Sequence, residues 1–182
     1  MRQRQTAYRL RLVCAHLCAG VAFVSGCGDH PSPEQAETIA TIERLGGHVK
    51  YGDRQAVVEV ALGGTRVSDA ELGKLSVFPE LETLSLFDSA IGDDGLATLA
   101  PCRALETLYL GRTRVTDEGI KHLTQFQALK NLGLSDTRVS DEGIRQLASL
   151  TSLRTINVHR TQVTVTGGND LKAALPQLVV HY

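Results

Sequence analysis

Three successive stretches of the chain share one frame: LETLSLFDSAIGDDGLATL from Leu81, LETLYLGRTRVTDEGIKHL from Leu105 and LKNLGLSDTRVSDEGIRQL from Leu129. Their starts lie 24 residues apart, and the same step reaches VVEVALGGTRVSDAEL at Val57 and LRTINVHRTQV at Leu153. Five copies at a fixed period constrain the fold more tightly than any compositional argument. Each copy is one supersecondary unit that cannot bury its apolar face alone, so the copies must stack into a solenoid.

Within the copy that begins at Leu105, the inward set is Leu105, Leu108, Leu110, Val115, Ile120, Leu123 and Phe126. Leu108-Tyr109-Leu110 alternates as a half-buried strand does. Asp117-Glu118-Gly119-Ile120 then switches to helical spacing, with Thr116 as N-cap and the two acids favourable beside the helix's positive end. Ser68/Asp69, Asp93/Asp94 and Ser140/Asp141/Glu142 repeat that arrangement.

The pattern resembles leucine-rich repeats, most closely the cysteine-containing subtype with its I-T-D-x-x-L segment. The whole chain resembles short bacterial lipoproteins built from such repeats behind an N-terminal helix. The likeness runs from Val57 to about Leu175 and implies an α/β solenoid, with a curved parallel sheet on the concave side and short helices on the convex side. The ninth position departs from the better-known subtypes: Thr65, Ser89, Thr113, Thr137 and Thr161 stand where Asn or Cys is usual, and read as a hydroxyl column bonding nearby backbone. The fifth copy drifts, with Thr164-Val165-Thr166-Gly167-Gly168 replacing T-D-x-G, and Leu171, Leu175, Leu178 and Val180 closing the core.

Such solenoids bind other proteins on the concave sheet, so the resemblance implies a protein partner there. The outward residues are the third, fifth, seventh and eighth of each copy. They are mostly small and polar, but Phe87 and Tyr109 put large rings in adjacent copies, and aromatic anchors often dominate interfaces. Asn157 and His159 face the same way. The eighth column alternates in sign, Asp88, Arg112, Asp136, Arg160, which suits cross-strand ion pairs as well as recognition. The candidate contacts are Phe87, Tyr109, Arg112, Asn157, His159 and Arg160. Arg66, Arg114 and Arg138 add a basic lip on the loop side.

Residues 1–30 read as an address. Arg2, Arg4, Arg9 and Arg11 precede the apolar Leu12–Val24, which is too short to span a bilayer and therefore reads as a signal peptide. Val24-Ser25-Gly26-Cys27 resembles a bacterial lipobox, making Cys27 the lipidation site and the cell envelope the destination; plain secretion is the alternative. Losing the four arginines of residues 1–26 from 19 basic side chains leaves 15 against 20 acidic, or −5. That balance argues against nucleic acid as partner. Cys14 and Cys18 leave with the signal, so Cys102 is unpaired, and its place in the frame (shared with Phe78, Phe126 and Leu150) makes it a core residue.

Ahead of the repeats, EQAETIATIERL reads as a helix with an apolar stripe of Ala36, Ile39, Ala40, Ile42 and Leu45, followed by a short strand at His48–Tyr51. The organisation is then 1–26 signal peptide, 27–33 anchor and tether, 34–56 N-terminal cap, 57–177 repeats and 178–182 C-terminal strand or cap. No G-x-S-x-G, P-loop, H-E-x-x-H or paired-cysteine motif occurs, so neither catalysis nor a cofactor or metal is expected. The reading is an envelope-anchored protein-binding module. A structural role in a surface layer, or an adaptor role like that of F-box proteins, are the alternatives.

Overall fold

The computed structural model describes residues 31–182. The stretch read as a signal peptide, with Cys14 and Cys18, and the expected lipidation site Cys27 lie outside the described residues. Seven strands bond in chain order into one sheet. β1 (His48–Tyr51) runs antiparallel to β2 (Val57–Ala61). β3 (Thr83–Ser85), β4 (Thr107–Tyr109), β5 (Asn131–Gly133), β6 (Thr155–Asn157) and β7 (Val179–His181) continue in parallel. The register advances by 24 at each parallel step, which stacks Val60, Leu84, Leu108, Leu132 and Ile156 in one line. None of these five is more than 2% exposed, so one sheet face is core and the other is open. The inward set read from Leu105 to Phe126 is fully buried. β7 keeps the same step, Val179 pairing with Thr155, so the tail supplies a sixth parallel strand.

Short helices cover the buried face: Asp69–Leu72, Asp93–Thr98, Asp117–Ile120, Asp141–Arg145 and Val165–Ala174. Besides the strand ladder and the core, a row of carboxylates joins successive copies. Asp93 accepts from Thr116 N at 2.8 Å and Thr116 Oγ1 at 2.7 Å. Asp117 does the same for Ser140, at 2.8 and 2.6 Å, and Asp141 for Thr164, at 2.7 Å twice. Asp69 reaches only a backbone, Gly92 N at 3.0 Å. Each aspartate thus fixes the start of the helix in the following copy. The first-turn acid, expected beside its own helix's positive end, is there and also serves the next copy. Thr116 does cap its own helix through Glu118 N.

The glycine at the third position of each later helix now has a reason. A Cβ on Gly95, Gly119, Gly143 or Gly167 would fall on the carboxylate of Asp69, Asp93, Asp117 or Asp141 respectively. In the first copy the position is Glu71, and no aspartate precedes it in the frame; there Glu71 itself accepts from Ser68 N, in a capping box. In the last copy Val165 takes the aspartate's place, while Thr164 and Gly167 still receive Asp141. The drift of T-D-x-G into T-V-T-G is therefore a last rung that donates to the preceding carboxylate and offers none of its own.

The ninth-column hydroxyls bond backward within their own copies. Thr65, Ser89, Thr113, Thr137 and Thr161 donate to the carbonyl three residues earlier at 2.6–2.7 Å. Three of them, Ser89, Thr113 and Thr137, are buried. The carbonyl they satisfy belongs to the residue that leaves the strand, and a buried unpaired carbonyl there would be costly.

At the N-terminal end, helix α1 (Pro33–Arg44) starts at Ser32 in a capping box and packs near β1. Its buried face is Thr38, Ile39, Thr41 and Ile42, whereas Ala36 and Ala40 are exposed. Of the expected apolar stripe, Ile39, Ile42 and Leu45 face the core, whereas Ala36 and Ala40 do not and are corrected to Thr38 and Thr41. Thr38 and Thr41 donate to the carbonyls of Glu34 and Glu37, four residues back, which lets their methyl groups enter the core. Cys102 is 1% exposed with Sγ 3.7 Å from the Leu75 carbonyl, and burial pushes its thiol up to about 11.

Candidate partner-binding face

The open side of the sheet is built from alternate strand residues, so its chemistry follows the third, fifth and seventh columns. In the third column Asn131 ties three strands together, donating to Thr107 Oγ1 at 3.1 Å and accepting from Thr155 Oγ1 at 2.7 Å. These groups satisfy each other and make a rigid polar floor. Above it stand the two rings, Phe87 at 41% and Tyr109 at 46% exposure.

Each ring lies against a glycine of the next copy. A Cβ at Gly111 would sit 2.9 Å from Phe87 Cδ2, and one at Gly133 would sit 3.1 Å from Tyr109 Cδ1. Glycine is needed at these two places because the rings rest where a side chain would otherwise stand. The result is a shallow groove of about 220 Å³ bordered by Phe87, Tyr109, Gly133, Ser135, Asn157 and His181. Ring edges form one wall and strand polar groups the rest.

Of the candidate contacts, Phe87, Tyr109 and Asn157 come together in this groove. Asn157 Oδ1 accepts from His159 N at 3.0 Å, which ties its amide to its own strand exit. Arg112 belongs to the groove's margin, its guanidinium 5.6 Å from the centre of the Phe87 ring. His159 and Arg160 are exposed beyond it. His181, on the sixth parallel strand, was missed as a face residue; the 24-step from Asn157 lands on it and would have found it.

The alternating charges of the eighth column turn out to be a backbone feature first. Asp88, Arg112, Asp136 and Arg160 all have φ between 53° and 57°, and Gly64 has 69°. At Gly64, Asp88, Arg112 and Asp136 the left-handed turn aims the peptide N–H at the seventh residue of the next copy, as Arg112 N does to Ser135 O at 2.8 Å. The expectation of a run of cross-strand ion pairs is corrected. Among the described residues only Arg160 and Asp136 meet, at 3.5 Å, while Arg112 turns to the Phe87 ring instead.

A leucine-rich-repeat family profile matches residues 80–100. In fold, the chain is similar to the crystal structure of an internalin (inlF) from Listeria monocytogenes. The TM-score is 0.57 at 21% identity, over 83% of this chain and 42% of that one. The fold is a leucine-rich-repeat solenoid. The chain thus spans less than half the length of the internalin it resembles. A leucine-rich-repeat protein of Leptospira interrogans also aligns, with TM-score 0.43 and 14% identity over 60% of this chain and 33% of that one. No curated protein sequence matches. Among the described residues of the solenoid, no cluster of three or more His, Cys, Asp or Glu could hold a metal ion. Among them, too, no helix is long and apolar enough to cross a membrane.

Proposed function

We propose that this solenoid is a non-catalytic protein-binding module that takes its partner on the open face of the sheet. The observation that carries the reading is the pair of half-exposed rings, Phe87 and Tyr109, held over glycine steps in adjacent copies. Nothing in the packing of the core calls for them: the line beneath is already complete with Leu84, Leu108 and Leu132. Two rings held side by side lose little freedom on binding and offer a large apolar surface, the combination found at interface hot spots. Leucine-rich-repeat folds commonly serve as protein-binding modules, which agrees with this use of the face.

The module works at the cell envelope, tethered through a lipidated Cys27. That part rests on the sequence of residues 1–30, with its arginine-rich start, apolar stretch and V-S-G-C cleavage signal. Crosslinked capture from native envelopes, run beside Phe87→Ala/Tyr109→Ala, tests the reading. A protein captured by the parent and lost from a variant of unchanged circular dichroism supports it. A protein retained by both moves the site off this face, and self-association alone favours a structural layer.

A further inference from the structure

Where the chain leaves the parallel strands, the solenoid has a ridge whose charge it does not neutralise. Arg66, Arg112, Arg114, Arg138 and Arg160 lie there against Asp88 and Asp136. This excess of cations sits in a chain whose residues 27–182 total −5 (15 basic against 20 acidic side chains). Among the described residues, Arg160 alone of the five makes an ion pair; the other arginine-row members are exposed and have no carboxylate partner. Arg114 and Arg138 are neighbours in the ladder, because Arg114 N bonds Ile91 O and Arg138 N bonds Val115 O one step further on. Like charges held one strand apart repel, so the fold gains nothing by keeping them there.

The ridge is continuous with the aromatic groove through Arg112, which stacks on the Phe87 ring that walls it. We infer that the arginine ridge recognises an acidic segment of the partner protein, an extended stretch whose Asp or Glu side chains meet Arg114 and Arg138 while an apolar side chain meets Phe87 and Tyr109. Asp88, the uncompensated acid of the ridge, is next to Phe87 in the chain, so the acidic residues of the segment lie over the third and fourth copies, at Arg114 and Arg138, and its apolar residue between the rings of the second and third. Guanidinium groups suit this work because they stay charged and accept carboxylates in a fixed fork. The inference rests on the protein-binding reading above and adds the partner's chemistry to it.

Selection of random dodecapeptides from a displayed library separates the two. Three proteins are used: the parent, Arg114→Gln/Arg138→Gln, and Phe87→Ala/Tyr109→Ala. The parent is expected to enrich peptides that combine acidic residues with an aromatic or branched apolar one. Their affinity should fall roughly 2- to 30-fold for the arginine variant, as for two partly exposed ion pairs, and should weaken with added salt. Thermal unfolding of that variant should be unchanged or slightly raised, since both side chains are exposed and unpaired and their mutual repulsion is relieved. Enriched peptides without acidic bias, or an affinity indifferent to the arginine variant, would overturn the ridge while leaving a ring-dependent protein site standing. No enrichment by the parent, together with arginine-dependent retention of a sulfated polysaccharide, would overturn both and assign the ridge to a polyanionic glycan.

Discussion

Replacing Gly143 by alanine should destabilise this protein, although the same change in an ordinary short helix stabilises it. Helix propensity alone favours alanine by about 1 kcal/mol. Here the new Cβ would lie 2.9 Å from Asp117 Cγ and 3.0 Å from Val139 Cγ1, and on top of a carboxylate oxygen. Asp117 must then leave Ser140 N and Oγ, to which it now bonds at 2.8 and 2.6 Å. Bonds to a charged group contribute about 1.5–3 kcal/mol each, and the low end suits a half-buried carboxylate, so the pair contributes about 3 kcal/mol. Subtracting the propensity gain leaves a net loss of about 2 kcal/mol, or a fall of roughly 4–8 °C in Tm for a chain of this size. The cause can be isolated by a double-mutant cycle in urea with Asp117→Ala. Once the carboxylate is gone, Gly143→Ala should be neutral or mildly stabilising, giving a coupling of about 2–3 kcal/mol. A Gly143→Ala protein more stable than the parent, or a cycle that adds without coupling, would refute the carboxylate row as the link between copies.

Three further outcomes are expected. Thr164 Oγ1 and then its backbone N–H hold the Asp141 carboxyl below its ordinary value of 3.8, so this contribution is complete above that pH and is lost as pH falls through the lower folded value; Asp141→Asn should flatten the acid limb of stability against pH, and an unchanged limb would remove the link. Cys102, buried and pushed up to about 11, should react with thiol reagents only as fast as the protein unfolds, and rapid labelling of the native chain would contradict its place in the core. Cys27→Ala should move the protein from the membrane to the soluble fraction, and retention in the lipid phase would end the anchor reading.

The 24-residue step made most of the core legible, because a buried column must stay apolar in every copy and leucine, isoleucine and valine advertise it. Residues whose role is set by a neighbouring copy were harder to read. Asp117 is legible as a first-turn acid, but nothing local shows that it also holds Ser140, 23 residues away. The legible trace was the glycine, present wherever an aspartate precedes it in the frame and replaced by Glu71 where none does. The eighth column misled in a similar way. Its charges suggested ion pairs, whereas Gly64 in the same column was the sign of a left-handed turn. In α1 the apolar pattern finds Ile39, Ile42 and Leu45 but not Thr38 and Thr41, because hydropathy does not register a hydroxyl that bonds its own helix. On the open face Phe87 and Tyr109 could be located by counting, but the glycines that seat them became meaningful only with the rings in place.

The most direct measurement is site-specific photocrosslinking in intact cells, with a benzophenone amino acid at Ser85 or Asn157 on the open face, and at Glu118 or Arg145 on the helical side. Binding through the sheet calls for a crosslinked protein from Ser85 and Asn157 that is absent from Glu118 and Arg145. The same band from the helical positions, with none from the sheet, would contradict it.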